Sequence, residues 1–177
     1  MSAMKNRYCR RTKLSEEEFM RLIVYFCRGW PATTAHSQCA DMGVKISRQT
    51  IEKKFLEFGD YFYRKFTRPQ FLQLYKDCNP GIERPDDEWE QQWLDEIWHN
   101  MRGTLDYAAF RRDNMPYTGH DTLIRTLQGR WQLFNGFARE NFRSHLGFAT
   151  FFDGARQHST MEVAISQFIR EFEKDPL

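Results

Sequence analysis

The residues with the clearest chemical potential lie at the start of a predicted helix near residue 47. Arg48 and Gln49 come first, and arginine and glutamine are the side chains that make paired hydrogen bonds to guanine and adenine in duplex DNA. Neighbouring lysines and arginines can neutralise phosphates, although the same pattern also suits the solvated face of an amphipathic helix. The candidate DNA-binding residues are Lys45, Ser47, Arg48, Gln49, Lys53, Lys54, Arg64 and Lys65, with Arg10 and Arg11 of a basic N-terminal arm.

A second chemically distinctive segment is acidic. Between Asp77 and Glu96, eight carboxylates stand against one arginine, Arg84. Closely spaced carboxylates repel DNA, but they can imitate phosphates and occupy a basic groove on another protein. The segment supports an alternative function, a mobile-element-encoded inhibitor or adaptor that binds a host nucleic-acid-binding machine, for example an anti-defence protein. Its candidate partner-binding residues are Asp86, Asp87, Glu88, Glu90, Asp95 and Glu96.

The distribution of charge favours DNA as the partner of the first part of the chain. The 177 residues carry a net charge of only +2. Residues 1–70 nevertheless contain 14 Lys/Arg and 7 Asp/Glu, whereas residues 71–177 contain 12 and 17. A basic end joined to an acidic remainder is typical of a chain whose basic end meets a polyanion.

Catalytic and metal-binding patterns are weak. The four cysteines are scattered without a C-x-x-C pair, so we expect reduced thiols, three of them packed and Cys9 loose. His36 with Cys39 and His120 with Asp121 are pairs without a third ligand, which is more typical of packing or capping. No nucleophile–base set or phosphate-binding glycine loop is recognisable. We therefore expect no metal, no cofactor and no enzymatic activity.

Helices must position these groups, because the composition offers little material for a sheet. Valine and isoleucine together account for 11 of 177 residues, whereas aromatic residues reach 16%. The predicted fold class is all-α, with an N-terminal tri-helical helix-turn-helix unit over residues 1–68 and a C-terminal helical bundle over 69–177. The second region is expected to form a homodimer or to bind a host protein.

Three helices are predicted in the first region. A capping box at Ser15 opens the first helix and Gly29 ends it, while the second covers Ala32–Met42 and closes at a left-handed Gly43. The third starts with Ser47 as N-cap and extends to about residue 66. The tight connection between the second and third helices is typical of a helix-turn-helix. The predicted buried stripe of the third helix is Ile51, Phe55, Phe58 and Phe62.

Further helices are predicted in the second region, and no segment is suited to a membrane. No stretch approaches the roughly 20 apolar residues of a membrane span, and the first residues lack an apolar export segment. A cytoplasmic location without a membrane partner is therefore expected. The predicted helices cover Gln70–Asp77, a tryptophan-rich segment from Asp86, Tyr107–Arg111, Asp121–Phe134, Ala138–Phe151 and Thr160–Glu173.

Two segments carry motifs that recur together in a known family. The first is LSEEEFMRLIVYFCRGWPATTAHSQCADMG followed by SRQTIEKKFLEF, and the second is RWQLFNGFARENFRSHLGF. The pair resembles the two ends of bacterial insertion-sequence transposases of the ISXO-like DDE type, whose N-terminal segment binds DNA. The positions that carry the resemblance are Gly29, Gly43, Ser47, Thr50, Ile51, Phe134, Gly136, Phe142, His145 and Leu146.

The catalytic centre of that family does not transfer to this chain. Family members hold two Mg²⁺ ions with three carboxylates on an RNase H-like sheet. Asp121 falls at the third position and Asp86 or Asp87 at the second, but no first acid lies on a strand-like segment between Phe58 and Gly119. The resemblance implies a shortened or degenerate relative, a non-catalytic protein that binds duplex DNA through its third helix.

Overall fold

The fold is mostly helical in the part of the chain that the computed structural model describes. That part comprises residues 6–9, 12–70, 72, 73, 88, 90, 91, 94, 95, 98, 138–158 and 161–177. It contains no strand, so the predicted all-α fold class is confirmed. Among the same residues, none of the helices combines the length and the apolar character that crossing a bilayer demands.

Five α-helices of ten or more residues lie in the described ranges: α1 is Glu16–Cys27, α2 is Ala32–Asp41, α3 is Arg48–Phe62, α4 is Phe142–His158 and α5 is Met161–Lys174. A π-helical turn, Tyr63–Thr67, continues α3, and a 3-10 turn, Arg139–Asn141, precedes α4. The described residues of the predicted helices near Gln70 and Asp86 are helical. The predicted helices at 107–111 and 121–134 lie outside the described residues.

Short-range hydrogen bonds fix the ends of the first helices as the sequence predicts. The Ser15 hydroxyl accepts from the Glu18 amide at 3.2 Å, and the Glu18 carboxylate accepts from the Ser15 amide at 2.7 Å. This reciprocal capping box satisfies two amides that the helix itself leaves unpaired. After α1 and α2, Gly29 and Gly43 adopt φ values of 73° and 72°, the left-handed region in which glycine carries no Cβ penalty.

Two compact units divide the chain. The first unit comprises residues 1–58 and 154–177, and the second comprises residues 59–153, so both divisions fall inside helices. The sequence places a boundary after residue 68 instead. The compact units differ because α5 packs against α1, a contact between segments far apart in the chain. The functional boundary after residue 68 stays a prediction.

Aromatic rings form the core of the first unit. Phe58 of α3 lies 5.4 Å from both Phe19 and Phe26 of α1, measured between ring centroids, and 5.5 and 5.6 Å from Phe168 and Phe172 of α5. All five rings are buried, and most pairs are edge-to-face or tilted, the favourable arrangements for aromatic quadrupoles. The high phenylalanine content therefore serves helix packing, as the composition indicates.

The N-terminal segment is tied to this unit. The Asn6 side-chain oxygen accepts from the Tyr8 and Cys9 amides, and its Nδ2 donates to the Leu14 carbonyl. These bonds bury Cys9, whose exposed fraction is 5%. The prediction that Cys9 is loose is therefore wrong, and Cys27 and Cys39 are buried as expected.

In the second unit, the end of α3 and the start of α4 approach at two glycines. A Cβ built on Gly147 would overlap the Gly59 carbonyl oxygen and the Tyr63 amide nitrogen. Beyond this crossing, the Thr67 hydroxyl donates to the Thr150 hydroxyl at 2.9 Å. The missing side chains allow two helix backbones to lie closer than ordinary side chains permit.

Candidate nucleic-acid interface

The start of α3 combines a fixed backbone with an exposed polar face. The Ser47 hydroxyl accepts from the Thr50 amide at 3.2 Å, and Ile51, one turn into the helix, is fully buried. The cap and the buried side chain hold the first two turns in place. Five of the predicted DNA-binding residues are exposed on this segment: the cap residue Ser47, and the four longer side chains of Lys45, Arg48, Gln49 and Lys53.

These four side chains are available to a ligand. Within the described part of the chain, none of them forms a side-chain hydrogen bond or an ion pair. Residues 45–53 include three cations and one carboxylate, that of the exposed Glu52. The segment, which we call the α3 basic face (residues 45, 48, 49 and 53), therefore carries uncompensated positive charge beside an amide side chain.

Ser47 has a structural role at this site. Its hydroxyl caps α3 and lies 2.8 Å from the Thr50 hydroxyl. An N-cap bond satisfies an amide that otherwise has no partner in the helix. The contribution of Ser47 is thus to position Arg48 and Gln49 on the first turn.

The structure corrects the assignment of Lys54. Its Nζ lies 2.6 Å from the Glu57 carboxylate and 3.5 Å from the Cys9 sulfur, and its side chain is only 11% exposed. Burial lowers the pKa of Lys54, but the hydrogen bond and charge of Glu57 outweigh it and raise the pKa above its ordinary value. Lys54 is occupied inside the first unit and does not belong to the α3 basic face.

The remaining predicted basic residues lie elsewhere. Arg64 and Lys65 are exposed residues of the second unit; Arg64 pairs with Asp60 at 3.0 Å, and the Lys65 ammonium lies 5.8 Å from the centroid of the Tyr61 ring. Arg10 and Arg11 lie outside the described residues. The structure thus brings together four of the ten predicted residues on one exposed segment, with Ser47 as its cap.

Two carboxylates of the acidic segment are paired with side chains of the protein itself. Glu90 is buried, and its carboxylate accepts from the Tyr63 hydroxyl at 2.7 Å and from the Arg68 guanidinium at 2.5 Å. The expectation that Glu90 is presented to a partner is therefore corrected. Asp95 is half-buried and paired with Arg139, while Glu88 is exposed. The other three candidates, Asp86, Asp87 and Glu96, lie outside the described residues.

Three of the positions on which the predicted resemblance depends lie in α4, and they are core positions. Phe142, His145 and Leu146 have exposed fractions of 2%, 7% and 0%. Side chains so deeply buried act through packing and internal contacts. They support the second unit, and they do not form a surface for a ligand.

Sequence reasoning missed a second cluster of cations. Arg64, Arg68 and Arg143 line one groove in the second unit. The four-residue spacing of Arg64 and Arg68 was the available signal, because residues i and i+4 share a helix face. Arg143 could not be added from the sequence, since α4 reaches the groove only through the fold.

Neither similarity to known proteins nor a described metal site indicates a function for this chain. No protein-family model, curated protein or solved structure matches the chain. Among the residues that the structure describes, no group of three or more His, Cys, Asp and Glu side chains is placed to hold a metal ion. The function must therefore be argued from the geometry of the sites themselves.

Proposed function

We propose that the chain is a non-catalytic DNA-binding protein whose α3 basic face binds duplex DNA. The observation that carries the proposal is the exposure of Lys45, Arg48, Gln49 and Lys53 without internal partners on a capped, well-anchored helix. Charged side chains that served only solubility would not need a helix whose start is fixed by a cap and a buried side chain. A rigid element is the more precise support for a recognition site.

The chemistry of the side chains on the α3 basic face indicates which of them contact bases and which contact phosphates. The major groove of B-DNA admits an α-helix, and the N-terminal residues of a recognition helix contact base edges. Arg48 and Gln49 occupy that position in α3. Lys45, ahead of the helix, and Lys53, one turn further on, contact phosphates and set the orientation.

The helix-turn-helix assignment belongs to the same proposal. α2 and α3 are joined by residues 42–47, and the left-handed Gly43 makes the turn at the end of α2. In a homodimer, two copies of α3 would enter major grooves about one helical turn of DNA apart, roughly 34 Å. Descent from a transposase would account for the retained DNA-binding segment and the lost catalytic acids.

DNA binding is favoured over the inhibitor or adaptor hypothesis by the state of the two charged segments. The α3 basic face keeps its charge for a ligand, whereas the Glu90 and Asp95 carboxylates already have cationic partners. A carboxylate already paired within the fold contributes little to a new basic groove.

The test is fluorescence-anisotropy titration of a random-sequence duplex at about 50 and about 200 mM salt. Wild-type affinity should fall as salt rises, because bound phosphates release counterions. The double variant Arg48→Ala, Lys53→Ala should bind about tenfold or more weakly at the lower salt and reduce the salt slope by about one, because Lys53 is the phosphate contact of the pair.

The matched control removes the same charge from the surface of α5. Arg170 and Lys174 are both exposed, and the variant Arg170→Ala, Lys174→Ala should bind nearly as well as the wild type. Equal losses in the two double variants would reduce the effect to net charge. Absence of binding by the wild type at low salt would reject DNA binding itself.

A further inference from the structure

A groove of about 530 Å³ opens on the surface of the second unit. Its volume lies in the range of small-ligand sites, and its lining is rich in arginine. Its described lining residues all belong to the second unit, whereas the α3 basic face belongs to the first. The described residues of the lining are Arg64, Arg68, Glu90, Gln91, Leu94 and Arg143.

Arg68 is held in place by a buried carboxylate. The Glu90 carboxylate accepts from the Arg68 Nε at 2.5 Å and from the Tyr63 hydroxyl at 2.7 Å, and the Glu90 side chain is only 9% exposed. Charge-assisted hydrogen bonds to a buried group restrict the guanidinium to one orientation. Arg68 is therefore fixed at the groove, where it contributes positive charge.

Arg143 is held by a ring. Its guanidinium carbon lies 5.6 Å from the centroid of the Tyr63 ring, within range of a cation–π contact. A guanidinium against an aromatic face keeps its N–H donors in its own plane, where they can reach an anion. Arg143 is exposed, and within the described part of the chain no carboxylate pairs with it.

The positive charges of Arg143 and Arg68 both act on the pKa of Tyr63. Burial, followed by the hydrogen bond to Glu90, raises the pKa of Tyr63 far above its ordinary value, while the positive charges of Arg143 and Arg68 act in the opposite direction. Both guanidinium groups thus lie near one phenol. Tyr63 stays a neutral hydroxyl that donates to Glu90.

Among the described residues that line the groove, arginine is the commonest type. Three of these residues carry guanidinium groups and one carries a carboxylate, which also accepts from Tyr63. Arg64 also pairs with Asp60, but the Arg64 side chain is 59% exposed, and partly exposed pairs four residues apart hold their partners weakly. The described lining of the groove therefore favours an anion.

We propose that this groove binds the phosphate group of a nucleotide through Arg143 and Arg64. Two planar guanidinium forks suit the many oxygens of a phosphate better than the two of a carboxylate. Leu94 and Gln91 also line the groove and add an apolar and an amide side chain. An inorganic ion bound by the arginines would not contact them, whereas a larger ligand such as a nucleotide would. The nucleotide can come from a free nucleoside monophosphate or from a single nucleic-acid strand.

The experiment is calorimetric titration of the whole protein with AMP and with adenosine, which lacks the phosphate. Wild type should bind AMP and not adenosine. Arg143→Gln should weaken AMP binding about tenfold or more, since each such contact is a charge-assisted pair. Arg170→Gln, which removes an exposed charge from the first unit, should leave AMP affinity unchanged.

A labelled single strand of about ten nucleotides distinguishes the two sources. Displacement of the bound strand by AMP, with the same dependence on Arg143, identifies a nucleic-acid strand as the ligand. Binding of AMP without binding of the strand identifies a free nucleotide. Failure of both probes, equal affinity for adenosine and AMP, or equal losses in Arg143→Gln and Arg170→Gln overturns the proposal.

Two further variants keep the outcome interpretable. Circular dichroism checks the fold of Arg143→Gln, and if it is unfolded, Arg64→Gln provides the same test from a side chain that is 59% exposed. The variant Arg48→Ala, Lys53→Ala should keep its AMP affinity. Loss of duplex binding with retained AMP binding therefore separates this proposal from that of DNA binding by α3.

Discussion

Glu90 shows how a single carboxylate can support both the stability and the proposed chemistry of the second unit. Glu90→Ala would leave the Tyr63 hydroxyl buried without its acceptor and Arg68 without its anion. Because Arg68 is partly exposed, water relieves some of this cost, and we expect a loss of about 2 kcal/mol in the free energy of unfolding. Urea denaturation followed by circular dichroism measures it.

The control lies two residues earlier in the same segment. Glu88 is exposed, and Glu88→Ala should change the free energy of unfolding by no more than about 0.5 kcal/mol. Equal effects of the two substitutions would show that Glu90 contributes only charge. A larger loss at Glu90 locates the stabilisation in its buried hydrogen bonds.

At the scale of elements, the crossing of α3 and α4 makes a sharp prediction at Gly147. Gly147→Ala should cost about 3 kcal/mol of stability although alanine favours a helix by about 1 kcal/mol, because its Cβ would overlap backbone atoms that cannot move aside. Thermal or urea unfolding provides the measurement. A variant as stable as the wild type would contradict this close approach.

Gly43 provides the comparison, since its constraint is of another kind. Nothing lies within 4 Å of a Cβ built there, but its φ is 72°. Gly43→Ala should therefore cost only the left-handed backbone strain, about 1–2 kcal/mol. The order of the two losses separates steric overlap from backbone strain.

Gly43 and Gly147 also show which features of the helices can be predicted from the sequence and which cannot. The capping box at Ser15 and the turn at Gly43 depend on residues close in the chain, and both were predicted correctly. The approach of Gly59 to Gly147 depends on segments 88 residues apart, and no local sequence pattern predicts it. The end of α3 was misplaced for a related reason, because the π-helical turn after Phe62 carries no distinctive residue type.

At the scale of the whole molecule, the partition of the chain predicts that residues 1–68 do not form a stable unit alone. The fragment would lack Phe168 and Phe172, whose rings complete the aromatic core around Phe58. We expect reduced helicity and no cooperative thermal transition in circular dichroism. Addition of a peptide covering residues 159–177 should restore helicity. A cooperative transition in the fragment alone would contradict the assignment of α5 to this core.

The candidate site was predictable where it depended on a helix face and unpredictable where it depended on distant partners. The spacing of Arg48, Gln49 and Lys53 away from the buried stripe correctly indicated exposure. Lys54 and Glu90 were misassigned because Cys9, Glu57, Tyr63 and Arg68 occupy their charged ends. Three of those four contacts span more than 20 residues, beyond the reach of any periodic pattern.

The π-helical turn at Tyr63–Thr67 sets the register of the segment that follows it. Such a turn holds one residue more than the α-helix around it. Deleting one residue there would rotate the following segment by roughly 100° and carry Thr67 and Arg68 away from Thr150 and Glu90. A chain shortened at this turn would need new partners on both facing segments, so the number of residues between α3 and Arg68 matters as well as their identity.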